Sequence, residues 1–505
     1  MSIEQDAYDT VTYPNFINPE SHPNRMAVMG RLYGLDPTPV ERCRVLEIGC
    51  NEAQNLIPIA YAIPTSEFVG FDLAAKPIAR GQQRIEKLGL KNIRIFQANL
   101  LEVDETIGAF DYIIAHGVYA WVPPPVRDGL MALCRRLLTP QGIAFISYNA
   151  LPGSHIRNLV RDVLLHRLDS VEQSELAVTQ PIEFLEFLAN CRPPEDPLRA
   201  LLEAQAKKLR EKKPEVIFHD EMAGGYAPVS FSDFVGHAAQ NGLQYVSDSS
   251  FPGPNDPCFQ PQVAATAKLL AKGDPIAEEQ TLDFARMRMY RETLLCLADA
   301  AIRRDVDLRA LKHLRLASPA QPAPAADLDT ETPGLRVYTM PDDNRVECRH
   351  AGTILLMDLL VAAWPESVPM ETVEQFFAGH GVPVDAEFLT MLFRLVISRM
   401  VRLSTWQAPV SRRIASHPRA SATSLQEATF KSRVATLIHS AADLSDPLVR
   451  SLFLLLDGSR DRKALLKELC TEYPEVQEAT LSDGLEPALR FLNHTGILLA
   501  EDFAG

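Results

Sequence analysis

Apolar residues between Cys43 and Tyr148 fall into five short runs, Cys43–Ile48, Phe68–Asp72, Asn92–Gln97, Phe110–Ala115 and Ile143–Tyr148. Runs this short and this continuous predict strands buried on both faces. Between them, residues 74–88 have helical period and stop at Gly89. Residues 126–138 set Leu130, Leu133 and Leu137 on one face before Thr139-Pro-Gln-Gly142 ends the helix. Strand alternating with helix predicts an α/β fold, a Rossmann-like open sheet whose ligand lies across the carboxyl ends of the strands. The loops at residues 47–55, 72–73, 98–100, 115–121 and 147–155 are therefore the candidate site.

Farther along, Phe231 to Gly242 repeats the helix-then-glycine pattern and Leu243 to Val246 alternates as a strand. Residues Arg291 to Cys296 are the candidate seventh strand, with a helix over 279–301 as the alternative. Residues 170–215, rich in Leu, Glu and Lys, predict a helical insertion. Residues 316–333 are Pro/Ala-rich without hydrophobic period, which predicts a linker. Beyond it, short amphipathic helices recur, as at Thr353–Trp364, Glu374–Ala378 and Leu444–Leu456. The expected divisions are a flap over 1–40, a core over 41–169, an insertion and a sheet-completing segment over 170–315, the linker, and a C-terminal domain over 334–505.

The first turn carries the chemistry. Dinucleotide sites use G-x-G-x-x-G so that backbone N–H groups can approach a pyrophosphate. Here Asn51 and Ala53 stand in the turn after Gly49, and their side chains would crowd that group. Glu47, two residues before Gly49, and Asp72, at the end of the next strand, instead suit a ligand with an ammonium and a ribose. S-adenosylmethionine (SAM) is such a ligand. In that reading Glu47 places the ammonium, Asp72 accepts from the ribose hydroxyls, and Gly49, Cys50, Asn51, Asn55 and Leu73 line the cofactor. Asn99 and Leu100 then meet the adenine edge, where Asn99 accepts more weakly than an acid. The plainer alternative is that Glu47 and Asp72 only cap strand ends.

Composition narrows the setting. A chain of 505 residues has room for two or three domains, and its net charge of −15 argues against general nucleic-acid binding. It has no run of 18 apolar residues, and Met1-Ser-Ile-Glu-Gln-Asp is too acidic for a signal peptide, so a soluble cytoplasmic enzyme is expected. The eight cysteines include no C-x-x-C pair, which favours buried thiols over disulfides or zinc, and no cluster suggests a metal.

The run Asp111-Tyr-Ile-Ile-Ala-His116-Gly-Val-Tyr119-Ala-Trp121-Val-Pro, together with Ser147-Tyr-Asn149-Ala-Leu-Pro152-Gly153-Ser-His155, resembles bacterial methyltransferases that carry a methyltransferase regulatory domain. The rickettsial outer-membrane-protein lysine methyltransferases belong to that group. Tyr13-Pro14, His22-Pro23, His219-Asp220-Glu221, Ser230 to Val235 and Arg291 to Cys296 extend the likeness over nearly the whole chain. It implies a seven-stranded class I sheet, its last strand antiparallel, a winged-helix-like C-terminal domain, and a protein substrate with lysine as acceptor. Ala53-Gln54 departs from the family's common Gly-Gly, and Leu151 and Ser154 stand where lysine methyltransferases tend to carry aromatics.

A lysine amine with pKa about 10.4 costs roughly 4–5 kcal/mol to deprotonate at neutral pH, and an apolar aromatic pocket lowers that cost. Tyr119, Trp121 and Tyr148 are candidates for such a pocket with cation–π contact, and Asn149 for accepting from the amine. His116 has three readings: packing, cofactor contact or base. His155 reads as a helix-entry residue and His219 as a lid group. Tyr8, Tyr13 and Pro14 read as a flap over the cofactor. The basic stretch from Arg399 to Arg433 reads as a solvated loop, and the C-terminal domain as docking protein rather than DNA. The rival functions are methylation of a small metabolite and a silent SAM-binding scaffold, the latter because Asn51, Ala53 and Asn99 depart from common cofactor motifs.

Overall fold

The computed structural model describes residues 17–166, 175–253, 255–323, 334–342 and 344–503. The five apolar runs become parallel strands β1 (Arg44–Ile48), β2 (Glu67–Asp72), β3 (Ile93–Gln97), β4 (Phe110–Ala115) and β5 (Leu138–Asn149). β6 (Leu243–Asp248) and β7 (Tyr290–Leu297) complete a seven-stranded sheet in the order β3-β2-β1-β4-β5-β7-β6, with β7 antiparallel to both neighbours. Each reading of residues 279–301 holds for part of the segment. A helix runs Pro275–Arg286, Met287 turns left-handed at φ +48°, and the strand follows. The edges of β5 and β6 both need backbone partners, and β7 supplies them by lying between the two.

Alternation along each strand decides which core a residue enters. Val45, Tyr112, Ile114, Phe145 and Leu294 face the helices Pro23–Leu32 and Leu56–Ala62. Leu46, Ile113, Ile146, Tyr148 and Leu295 face Leu130, Leu133 and Leu137 of the helix Pro124–Leu137, and Phe234 of the helix Phe231–Gln240. Arg291 breaks the apolar pattern of β7 as a fully buried cation. Asp283 grips it with both oxygens at 2.8 Å, Asp248 and Glu279 accept from it at 3.0 and 2.9 Å, and its guanidinium lies 3.8 Å from the Phe231 ring centroid. A buried charge so fully matched ties the helix Pro275–Arg286 to the sheet.

The expected helical insertion holds the helices Glu175–Asn190 and Pro197–Arg210, which pack with Ser154–His166 around Val160, Leu164, Leu185, Leu202 and Leu209. The expected linker is corrected. β8 (Arg315–Ala317) lies between the strands Val368–Pro369 and Arg402–Ser404 with Leu316 fully buried, and Gln321–Pro322 pairs with Arg336–Thr339 at a sheet edge. Small side chains permit close approach, and an edge position tolerates proline's missing N–H, so a linker-like composition folds as strand. Residues 324–333 lie outside the described ones. The core beneath the sheet continues through Leu311, Leu316, Leu356, Leu392 and Leu403, joining the two halves of the chain.

Helices Ala351–Ala363, Met370–Gly379 and Pro447–Leu454 form where the periodicity placed them, and the last packs with Arg462–Glu472 and Glu478–His494 around Leu452, Leu465 and Leu489. The basic stretch is not simply a solvated loop. Val410, Ala420 and Ser424 are buried, and the helix Ala422–Ala428 carries a fully buried Glu427 between Arg84 and Lys431. Among the described residues no helix is long and apolar enough to cross a membrane.

Candidate functional site

At the end of β1 the chain turns sharply at Gly49, with φ +72°. The N–H groups of Gly49 and Cys50 both donate to the Phe71 carbonyl, at 2.9 and 3.1 Å, which pins the turn to the end of β2. A Cβ on Gly49 would stand 2.8 Å from Val118, so glycine is required for the close approach as well as the conformation. Asn51 and Ala53 also have positive φ, +50° and +55°. For Ala53 this left-handed backbone is costly, about 1–2 kcal/mol, and the surrounding bonds hold it. Asn51 N–H donates to Asp72 Oδ2 at 2.8 Å, and Ala74 N–H donates to Asp72 Oδ1 at 2.9 Å. These two backbone bonds hold the Asp72 carboxylate in one orientation at the end of β2.

Glu47 lies beneath this turn, 4% exposed. Its Oε1 accepts from Asn55 Nδ2 at 2.9 Å, and its Oε2 is buried with no partner among the described residues. Burial pushes its pKa up to about 7, Asn55 opposes that shift, and the charge of Asp72 adds to it. An orphaned buried acceptor is costly unless a donor reaches it, and an ammonium fits that need. Along the same sheet edge Leu73 is exposed and Leu100 is buried. Asn99 caps a turn, its Oδ1 accepting from Leu101 N–H at 3.1 Å. Cys50 is buried, and its thiol is raised well above its ordinary pKa by burial, with Glu47 and Asp72 adding to that shift.

His116 follows β4, and the bonds around it fix its protonation state. Asn18 Oδ1 accepts from Glu20 N–H, so Asn18 Nδ2 is the donor that reaches His116 Nδ1 at 2.9 Å and Glu292 Oε1 at 2.9 Å. Nδ1 therefore accepts, and the proton of the neutral ring sits on Nε2. Ser147 Oγ and Tyr290 OH are 3.1 and 3.3 Å from the same Nδ1. The residue keeps exposed area, yet protein packed around the ring desolvates it and lowers its pKa to about 4. With its basic nitrogen engaged, His116 takes up a proton only by losing Asn18, which favours contact or packing over the base reading. Glu292, on the same rim, is pushed up to about 7 by burial, opposed by the Asn18 bond.

The expected aromatic pocket is corrected. Tyr119 is buried, packs on Phe234 at 5.0 Å and hydrogen-bonds His237 Nδ1 at 2.9 Å, while Tyr148 stacks on Phe234 at 4.0 Å. Tyr148 alternates to the face of β5 opposite Ser147 and Asn149, so both tyrosines belong to the helix-covered core. Trp121 lies 5.0 Å from Tyr226, and the guanidiniums of Arg157 and Arg161 are 5.7 and 5.5 Å from its ring. Protein cations already occupy its π contacts. Asn149 is buried at the end of β5, opposite Tyr290 of β7, and its side chain makes no hydrogen bond among the described residues. His155 is exposed in the first turn of the helix Ser154–His166, as expected. His219 is buried in the turn Phe218–Met222, which Glu221 anchors to Arg157 and Lys212 at 2.9 and 2.8 Å, so this segment is fastened rather than lid-like. Tyr8, Tyr13 and Pro14 lie outside the described residues.

Residues to which the sequence assigned no role surround the site: Asn18, Ser21, Glu292, Tyr290 and, from far downstream, His439. Asn55 Oδ1 accepts from Asn18 N–H at 2.9 Å and from His439 Nε2 at 3.0 Å, and Asn55 Nδ2 donates to Ser21 Oγ at 3.0 Å. The motif His22-Pro23 did mark the right segment. His22 caps the helix Pro23–Leu32, its Nδ1 accepting from Asn24 N–H at 3.0 Å. No sequence signal pointed to His439.

A family profile described as a methyltransferase domain matches residues 45–142, and one described as a predicted methyltransferase regulatory domain matches residues 213–297. The second match contains β6 and β7, so the regulatory segment supplies the last two strands of the sheet. An uncharacterized protein of Rickettsia prowazekii (strain Madrid E) is 32% identical over 339 residues, 66% of this chain but 61% of its own length, less than two thirds. A second protein of that organism is 33% identical over 230 residues, 45% of this chain and 92% of its own length. The solved structure of PKMT2 from Rickettsia typhi is similar over 97% of this chain and 100% of its own, with a TM-score of 0.84 and 22% identity. PKMT2 in complex with AdoHcy has a TM-score of 0.84 and 23% identity over the same shares. At that identity the likeness establishes a shared fold.

Proposed function

Because the chain belongs to the SAM-dependent methyltransferases that carry the predicted methyltransferase regulatory domain, we propose that it methylates a protein, at a lysine amine. SAM supplies a methyl group already bound to a positively charged sulfur, so the chain's own task is to bind, align and keep the acceptor amine unprotonated. The observation that carries the cofactor site is the buried Glu47 Oε2, without a partner among the described residues and set across the Gly49 turn from the anchored carboxylate of Asp72. Glu47 meets the ammonium and Asp72 the ribose diol. Gly49, Cys50, Asn51, Asn55, Leu73, Asn99, Leu100 and His116 border the ligand.

The acceptor approaches past the ends of β5 and β7, where Asn149, Tyr290 and Glu292 lie close to His116 in the fold. Asn149 accepts from the amine, and Glu292, whose carboxyl is raised to about 7, takes its proton on the way in. In-line attack requires about 3–3.5 Å between nitrogen and methyl. The sequence resemblance to rickettsial protein lysine methyltransferases and the fold shared with PKMT2 support a protein acceptor, and the net charge of −15 favours a basic one in the cytoplasm. Incubating the full chain with methyl-labelled SAM and cell lysate tests this. Label should appear in protein and, after hydrolysis, in methylated lysine; label confined to small molecules would overturn the protein acceptor.

A further inference from the structure

Asn55 is the point where three distant parts of the chain meet. Its amide can donate twice and accept twice, and all four bonds are made: to Ser21 Oγ, to Glu47 Oε1, from Asn18 N–H and from His439 Nε2. The backbone donor on Asn18 fixes which end of the amide is oxygen, so His439 must present Nε2–H to it. Burial holds the His439 pKa near 4, so the ring is neutral and this one proton is the donor. His439 comes from the turn between the strands Arg433–Ala435 and Ala441–Asp443, with a left-handed φ of +51°. A non-glycine residue held there is retained only when its surroundings demand it. The neighbouring residue is held too. Gln54 donates to the buried Glu427, which Arg84 also reaches at 3.4 Å, and His22 packs 5.1 Å from His439 and 5.8 Å from Trp406.

We propose that His439 is a positioning residue for the cofactor site: from the C-terminal region it holds the Asn55 amide, and through that amide it aims the Glu47 carboxylate at the cofactor's ammonium. The inference rests on the SAM reading above. It makes the C-terminal region part of the donor site as well as a surface for acceptors. Without the His439 bond, Asn55 can rotate, Glu47 Oε1 loses its fixed donor, and the carboxylate is no longer held in one orientation.

The test is calorimetric titration of the full chain with SAM and with 5′-methylthioadenosine, which keeps adenine and ribose but lacks the ammonium. His439→Phe fills the ring volume without a donor, His439→Gln restores an amide donor, and His439→Ala is a second, smaller deletion. SAM affinity should fall by about tenfold in His439→Phe and His439→Ala and return to within about threefold in His439→Gln, while 5′-methylthioadenosine changes by less than about twofold. Unchanged SAM affinity in the Phe and Ala variants would overturn the relay alone, and so would equal weakening of both ligands, which marks a merely structural residue. A wild-type chain that bound neither ligand would remove the SAM reading and the relay together.

Discussion

The raised carboxyl of Glu47 has two consequences that share one origin. Its pKa of about 7 in the fold lies above the ordinary 4.5, so the folded state holds the proton more tightly than the unfolded chain does. Stability is therefore undiminished below about pH 4.5, is lost as pH rises through 7, and stays at its lower value above. Glu47→Gln should raise the melting temperature at pH 8, by a gain on the order of 3 kcal/mol, and leave it nearly unchanged at about pH 4. The ammonium, conversely, needs the ionised form. SAM affinity should fall by about fivefold between pH 7 and pH 6 as Glu47 protonates, and in Glu47→Gln it should be weaker and flat over that range. Flatness in the wild type would mean that Glu47 does not meet the ligand. Sequence spacing named Glu47 and Asp72 because the ends of neighbouring strands are a local matter. It misassigned Tyr119 and Tyr148 because which face of a buried strand a ring enters depends on the helix laid over it, here Phe231–Gln240.

At the scale of elements, the joint between the helix Pro275–Arg286 and β7 is the part most exposed to a single change. Arg291 has no exposure and three carboxylate partners. Arg291→Met strands Asp283 and Asp248 in the core with only Arg286 and Arg288 nearby. The expected cost is about 3 kcal/mol, read as a lower urea midpoint for loss of tertiary signal; a midpoint within error of the wild type would mean the network adds nothing net. Because β7 also carries Tyr290 and Glu292 past His116, the same variant should lower kcat more than SAM affinity. The segment's two readings were indistinguishable by periodicity, since a fully buried strand and a buried helix have the same apolar composition. The left-handed turn at Met287 and the open edge of β5 made the choice.

For the whole molecule, the decisive fact is that one core runs beneath the sheet and on past residue 334. A chain ending at residue 315 would expose Leu311 and Leu314 and lose β8's central residue Leu316, Glu427 and His439. It should be poorly soluble, and any soluble fraction should bind SAM at least about tenfold more weakly than the full chain. A soluble fragment with full affinity would restore the linker that its composition suggests. The amino-acid sequence by itself determined the five parallel strands, the glycine turn and the positions of Glu47 and Asp72 at neighbouring strand ends, because strand burial and turn chemistry act over a few neighbouring residues. Tertiary structure alone decided that a Pro/Ala stretch is a core strand, that Asn18 sets the tautomer of His116, and that His439 reaches Asn55 across 384 positions of sequence. Those contacts join residues whose proximity no local pattern encodes, and only the closing of the common core brings them within hydrogen-bond reach.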